Sequence, residues 1–221
     1  MTRLILGSAS TSRARILSQA DIGFTVRVSY VDEPAAVAAA QQRDQGEELS
    51  PAAEAQLLAD LKAAAVVELP GLHAGSAAST TVVLGCDSVF ELDGASYGKP
   101  YEVDVAIQRW KLMRSRTGVL HTGHTLIDAS TGARAQRTVS TQVSFGEPTD
   151  AEIQLYAESG EPLHCAGAFT IDGRGSAFVE KVEGDHLSVI GVSPAALRSM
   201  LAELGHSITD FWSMPSPAAH H

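Results

Sequence analysis

Residues 4 to 17 read LILGSASTSRARIL, and this stretch decides the fold. LILGS is a short apolar run ending in small residues, as a buried strand does when it leaves a core. The hydroxyl-rich STSRARILSQADIG that follows reads as a helix, with its start marked by side chains that cap free N–H groups and with Gly23 past its end. The stretch therefore predicts strand, turn and helix. A second run, TVVLGCDSVF at 81–90, is apolar and β-branched and predicts another buried strand.

Between these two landmarks, residues 31–49 are rich in Ala, Gln and Glu and predict a loop or a loosely held helix. Ser50 as N-cap and Pro51 at the first helical position open a clearer helix to about Glu68, with Leu57, Leu58, Leu61 and Ala65 on one face. The Gly/Ser/Ala-rich segment from Pro70 to Thr80 turns the chain into the second strand. Asp93-Gly94 marks a hairpin turn.

A helix is expected from Asp104 to near Gly118, with Ile107, Trp110 and Met113 at helical spacing. Two strands follow at 119–128 and 138–145. In the second, Val139, Val143 and Phe145 alternate with Ser140, Gln142 and Ser144, so one of its faces should be wet. Thr149 and Glu152 make a capping-box pattern for a helix to about Glu158. Short strands are expected at 166–171, 177–182 and 186–191. Ser193-Pro194 starts a last helix carrying Leu197, Leu201 and Leu204 and closing at Gly205. The tail SMPSPAAHH reads as disordered or as an appended remnant, so 1–208 is taken as one domain and 209–221 as tail. The order of elements is that of an α/β protein.

With 221 residues, 44% hydrophobic and 19% charged, the chain can bury a sizeable core. A net charge of −10 makes duplex nucleic acid a poor partner, whereas a few cations gathered in one cleft can still hold a small anion. No apolar run approaches the roughly 18 residues of a membrane helix, and the start reads as a strand rather than a signal peptide. A cytoplasmic location without membrane contact is the expectation. Cys86 and Cys165 fall in unrelated segments, have no metal-binding spacing and are expected to be reduced, with Cys86 packing beside a strand end.

The polar residues of interest sit at strand ends and helix starts. Ser8, Ser10 and Arg13 either cap the helix and meet solvent, or hold a phosphate with free N–H groups and a guanidinium that grips two oxygens. Asp87 ends an apolar run and either caps a turn or finds a cation, a metal or several donors. Lys62 lies at the edge of an apolar helix face, to snorkel or to reach a site. Lys99 precedes Pro100 and is therefore biased to an extended backbone. No GxxxxGK[ST] or GxGxxG sequence is present. His121 and His124 have opposite strand parity, so they cannot face one metal together and read as structural.

LILGSASTSRARIL, VDE at 31–33, Leu61-Lys62, GCDSV, YGKP, the Gly118-x-x-His121 step, EPLHCAGAFTIDGRGSAFVEKVEGD and SVIGVS stand in the order and approximate spacing of the Maf family. From Leu4 to about Leu204 the chain resembles those nucleoside triphosphate pyrophosphatases, once described as septum-formation inhibitors. The resemblance implies the Maf or ITPase-like α/β architecture: an elongated mixed sheet flanked by helices, with two lobes, a central cleft and commonly a homodimer. It implies cleavage between the α and β phosphates to give a nucleoside monophosphate and pyrophosphate, with clearance of non-standard nucleotides as a role. The alternative it carries is a non-catalytic, nucleotide-binding regulator of cell division.

By the same resemblance, Asp87 is the base that activates water, and Glu33 contacts metal or substrate. Ser8, Ser10, Arg13, Lys62 and Lys99 neutralise the triphosphate. Glu33 and Asp87 would carry Mg²⁺ or Mn²⁺, whose preference for oxygen ligands suits the chemistry. The chain departs from the family pattern at Thr11 and Ser12, where a proline and an arginine are usual, and at His164, Cys165 and Phe169. Asp172 stands at a glutamine position. If that position contacts the base, an amide that donates and accepts has become an acceptor alone. Asp185 is expected to line the cleft or to make a turn.

Overall fold

β3 (Thr81–Leu92) organises the molecule, because its two edges are used differently. In the computed structural model, which describes residues 2–43, 48–70, 72 and 80–212, one edge pairs continuously with β5 (Thr117–Asp128), antiparallel from Val82 to Glu91. The other edge is shared. β1 (Arg3–Leu6) pairs with it in parallel up to Leu84, and β4 (Ala95–Tyr97) pairs antiparallel from Phe90 onward. Between these neighbours lies the middle of β3, which carries Asp87 and Ser88.

β2 (Phe24–Val26) extends the sheet beyond β1, and β6 (Arg134–Phe145) and β7 (Val179–Glu183) extend it beyond β5. The result is a mixed, open sheet of seven strands in the order β2-β1-β3-β5-β6-β7, with β4 beside β3. At about 3.4 Å per residue, the 12 residues of β3 span roughly 40 Å, long enough to serve two separate cores.

α3 (Pro51–Val67) lies on one face of the sheet, opened by the Ser50 side chain accepting from Ala53 N–H with Pro51 in the first turn. It sits unusually close to the strands. A Cβ on Gly85 would fall 2.6 Å from Ala63 N, and one on Gly123 would fall 2.7 Å from Gln56 Cα. The glycines remove the side chains that would hold the helix off, and Gln56 Nε2 donates to Thr125 Oγ1 at 2.9 Å.

The opposite face carries two apolar clusters. At one end, Leu4, Leu6, Val82 and Leu84 pack under α1 (Thr11–Gln19) and α7 (Pro194–Glu203) through Ile16, Leu17, Leu197 and Met200. At the other end, Phe90 and Phe145 pack under α4 (Val103–Met113) and α5 (Asp150–Glu158) through Trp110, Met113, Ile153 and Tyr156. α2 (Glu33–Arg43) realises the helical alternative for residues 31–49.

The elements expected at the Asp93-Gly94 turn, the Thr149/Glu152 capping box and Ser193-Pro194 form as the local chemistry dictates. Four expectations are corrected. α3 buries Ala55, Leu58, Ala59, Lys62, Ala63 and Val66, whereas Leu57, Leu61 and Ala65 of the expected face stay half-buried, because the close approach to the sheet favours small side chains there. Residues 166–171 are not a strand: 166–168 form a 3-10 turn in which Gly167 and Ala168 take positive φ, with Trp110 Nε1–H donating to Ala168 O at 2.7 Å. Residues 186–191 fold as α6 (His186–Ile190), because Asp185 accepts from Leu187 N and Ser188 N and caps a helix there. α4 stops at Met113, since Thr117 and Gly118 are already in β5. The chain also stays packed beyond 208, with Phe211 buried against the α1/α7 cluster and Trp212 bridging to Ile22. Residues 213–221 and most of the expected turn at 70–80 lie outside the described residues. No helix among the described residues is long and apolar enough to cross a membrane.

Candidate active site

The gap on β3 between β1 and β4 opens into a cleft of about 660 Å³. Its floor follows from the topology. β1 ends at Leu6, Gly7 N–H makes one more bond to Leu84 O at 2.8 Å, and the chain then turns away into α1. The strand-to-helix turn and the unpaired stretch of β3 are thereby brought side by side.

Ser10 is the N-cap of α1, its side chain accepting from Arg13 N–H. Ser8 accepts from Ser10 N–H at 3.2 Å and from Arg13 Nη1 at 3.0 Å. The caps and the phosphate-binding alternative are thus compatible, because the same serines both begin the helix and face the cleft. Arg13 is not solvated. It is buried, and it donates through Nε to Gly191 O at 2.8 Å and through Nη2 to Ser88 Oγ at 3.2 Å. Ser88 is held in turn by Thr122, whose hydroxyl donates to Ser188 O. A guanidinium has five N–H donors, so three bonds within the protein leave two for a ligand.

Lys62 resolves its alternatives in favour of the site. Its ammonium lies on the buried side of α3, pairs with Glu33 Oε1 at 2.7 Å, and makes a short contact with Asp87 Oδ1. One lysine thus bridges the first residue of α2 and the middle of β3. Burial pushes the Glu33 carboxyl up, but the bonded and coulombic pull of Lys62, joined by Lys99 and Arg13, outweighs it, so Glu33 titrates below the usual carboxylate value.

Lys99 follows β4 and lines the cleft from an exposed position. Asp172 lines it from the segment after Phe169, ion-paired with Arg15 of α1 and accepting from the Thr170 hydroxyl. The eight residues assigned from the sequence to catalysis, metal or substrate border one cleft: Ser8, Ser10, Arg13, Glu33, Lys62, Asp87, Lys99 and Asp172.

Sequence reading did not single out Ser88, Arg15 or Tyr30. Ser88 follows Asp87 directly and Arg15 lies two residues after Arg13, so proximity to those landmarks was the available signal. Asp185 does not line the cleft; it caps α6. Cys86 is fully buried, and burial pushes its thiol up to about 12, which leaves no thiolate for nucleophilic attack. His121 and His124 point to opposite faces. His121 sits between Glu91 Oε2 at 2.7 Å and Ser140 Oγ at 2.8 Å, whereas His124 Nε2 accepts from Ser193 N–H at 2.9 Å.

The donor set suits a hard divalent cation. Mg²⁺ is typically bound through one or two carboxylates with substrate phosphates and water completing its shell. Glu33 and Asp87 are two carboxylates gathered on one ammonium beside a basic cleft. Among the described residues, no group of three or more His, Cys, Asp or Glu side chains forms a complete cage, so substrate oxygens would be part of any such site.

The model of the Maf-like protein family matches residues 3–204. A nucleoside triphosphate pyrophosphatase of Streptomyces coelicolor is 46% identical over 211 residues, covering 96% of this chain and 95% of the relative. One from Salinispora tropica is 47% identical, covering 96% and 88%, and one from Leifsonia xyli is 47% identical, covering 96% and 97%. With sheet, cleft and family match in agreement over nearly its whole length, the chain belongs to the Maf-like family.

Proposed function

We propose that the protein hydrolyses a nucleoside triphosphate between its α and β phosphates, releasing a nucleoside monophosphate and pyrophosphate. The observation that carries this reading is the meeting of Asp87, Glu33, Lys62 and Arg13 in one cleft. It is supported by relatives named nucleoside triphosphate pyrophosphatase that cover the chain almost end to end.

In this reading Asp87 accepts a proton from water as the water oxygen bonds to the α-phosphorus. The bond from that phosphorus to the bridging oxygen breaks, and pyrophosphate leaves with both electrons of the bond. The growing negative charge is met by Arg13 and Lys62, which buried contacts hold in position before the substrate arrives, and by Lys99 from its exposed position. Ser8, Ser10 and the N-terminal N–H groups of α1 hold phosphate oxygens. Mg²⁺ or Mn²⁺, held by Glu33 and Asp87, would supply a more acidic water and further charge neutralisation. Asp172, an acceptor braced by Arg15, is the group on which choice of nucleobase turns.

The experiment is pyrophosphate release from a panel of common, modified and methylated nucleoside triphosphates, with Mg²⁺, with Mn²⁺ and with chelator. Metal-dependent turnover of a subset, yielding monophosphate, is the expected result. Saturable nucleotide binding without turnover on any member would overturn the catalytic reading in favour of a nucleotide-binding regulator.

A further inference from the structure

Tyr30 lies between β2 and α2, lines the cleft, and is 87% exposed, the most exposed of the large hydrophobic side chains among the described residues. Its backbone is left-handed, at φ 50°. A bulky residue rarely takes that conformation, and residues held in it cluster at ligand clamps and active sites. Folding therefore places this ring at an energetic cost and returns almost no burial for it.

The other rings of the cleft already have aromatic neighbours. Phe169 and His164 are the other ring-bearing residues in its lining. Phe169 is packed edge-on against Phe90 and Phe145, and His164 has the Tyr101 ring against it at 5.9 Å between centroids. Trp110 is fully buried. Among the described residues, Tyr30 is the exposed ring of the cleft with no other ring against it, whereas His164, exposed as well, already has Tyr101 beside it.

Its position is also set. Tyr30 precedes Glu33 by three residues, so its Cα lies within about 11 Å of the Cα of Glu33, whose carboxylate contacts Lys62. A ligand whose phosphates are held at Arg13 and Lys62 has its organic end within reach of this loop. The geometry points to Tyr30 as an aromatic platform on which the base of a bound nucleotide stacks, an inference that rests on the nucleotide substrate proposed above. Every base has a π-face, so this contact adds affinity for all nucleotides and leaves discrimination to polar groups such as Asp172.

The test compares Tyr30→Asn, which suits a left-handed backbone but has no ring, with Tyr30→Phe, which keeps the ring. The probes are the α,β-methylene analogues of the four common nucleoside triphosphates, which cannot be cleaved at that bond, and inorganic triphosphate, which has no base. Tyr30→Asn is expected to weaken the nucleotide analogues by about tenfold or more, with inorganic triphosphate unchanged and Tyr30→Phe close to wild type. Wild-type affinity of Tyr30→Asn for the analogues would overturn the platform, as would equal weakening of the analogues and inorganic triphosphate. Wild-type protein that binds inorganic triphosphate no more weakly than any analogue would show that the base is not engaged at all, and that result counts against the nucleotide reading itself.

Discussion

Arg13 Nε–H donates to the carbonyl of Gly191 at 2.8 Å, joining segments 178 residues apart in sequence. The same guanidinium reaches Ser8 and Ser88, so it ties α1, β3 and the end of α6 together while presenting its remaining donors to the cleft. A lysine has one ammonium and cannot reproduce that fork. Arg13→Lys is expected to lose about 1 to 3 kcal/mol of stability, because at least one buried acceptor goes unpaired. It should also lower kcat/KM by roughly 100-fold if Arg13 makes the phosphate contacts proposed for it. Urea unfolding and steady-state kinetics on the same preparation check both, and unchanged stability would show that the three internal bonds carry no weight.

Asp87 is buried in the gap of β3 and touches Lys62. Asp87→Asn keeps its shape and one acceptor oxygen but cannot take a proton from water. Turnover should fall by about 10² to 10⁴, the usual contribution of a general base, with the folded structure retained. Pyrophosphate release checks the rate and circular dichroism the fold. Near wild-type rates would remove Asp87 from the chemistry.

Close approach of α3 to the sheet is what lets Lys62 reach that carboxylate. In Gly85→Ala the new methyl would stand 2.6 Å from Ala63 N, one residue past Lys62. Backbone cannot yield as a flexible side chain can, so the helix must shift. We expect a loss of about 2 kcal/mol or more and a fall in kcat from the displaced ammonium. Gly98→Ala, where a methyl meets nothing within 4 Å, is the control and should change neither.

Local chemistry made much of this fold readable. The Thr149/Glu152 box, Ser50-Pro51 and the Asp93-Gly94 turn each state their structure within four residues, and the fold keeps them. β2 escaped because Phe24–Val26 is three residues long and partly exposed, with no alternation to read. HLSVIG is a short apolar run that fits strand or helix equally, and only the Asp185 cap decides it. In the site, the cation and carboxylate types were visible in sequence, whereas the bridging of Glu33 and Asp87 by Lys62 was not. That contact depends on Gly85 and Gly123 admitting α3, a condition set by packing between elements far apart in the chain.

Glu33 gives that bridge a titration signature. Burial alone would raise its pKa, and Lys62 is the main reason it is lowered instead. In Lys62→Met the upward push of burial loses its chief opponent, so the Glu33 pKa should rise. The wild-type carboxylate takes up its proton below the ordinary carboxylate value; in the variant it should do so at higher pH. Carbon-13 NMR of the Glu33 carboxyl against pH reads this directly, independent of turnover. An unchanged midpoint would mean that Lys62 does not hold Glu33 in solution.

His124 makes a prediction about stability against pH. It is 0% exposed, its Nδ1–H donates to Arg137 O at 3.2 Å, and its Nε2 accepts from Ser193 N–H, an arrangement that requires the neutral ring. Burial drives its pKa down to about 4, against an ordinary value of 6.5. Between those values the unfolded chain binds a proton that the folded one refuses, so stability is full above 6.5 and is lost as pH falls toward 4. The loss from pH 7 to pH 5 should be about 2 kcal/mol from this residue. His124→Gln can keep one donor and one acceptor but has no proton to gain in this range. Guanidinium unfolding at both pH values should show the wild type losing about 2 kcal/mol more than the variant, and equal losses would place the acid sensitivity elsewhere in the protein.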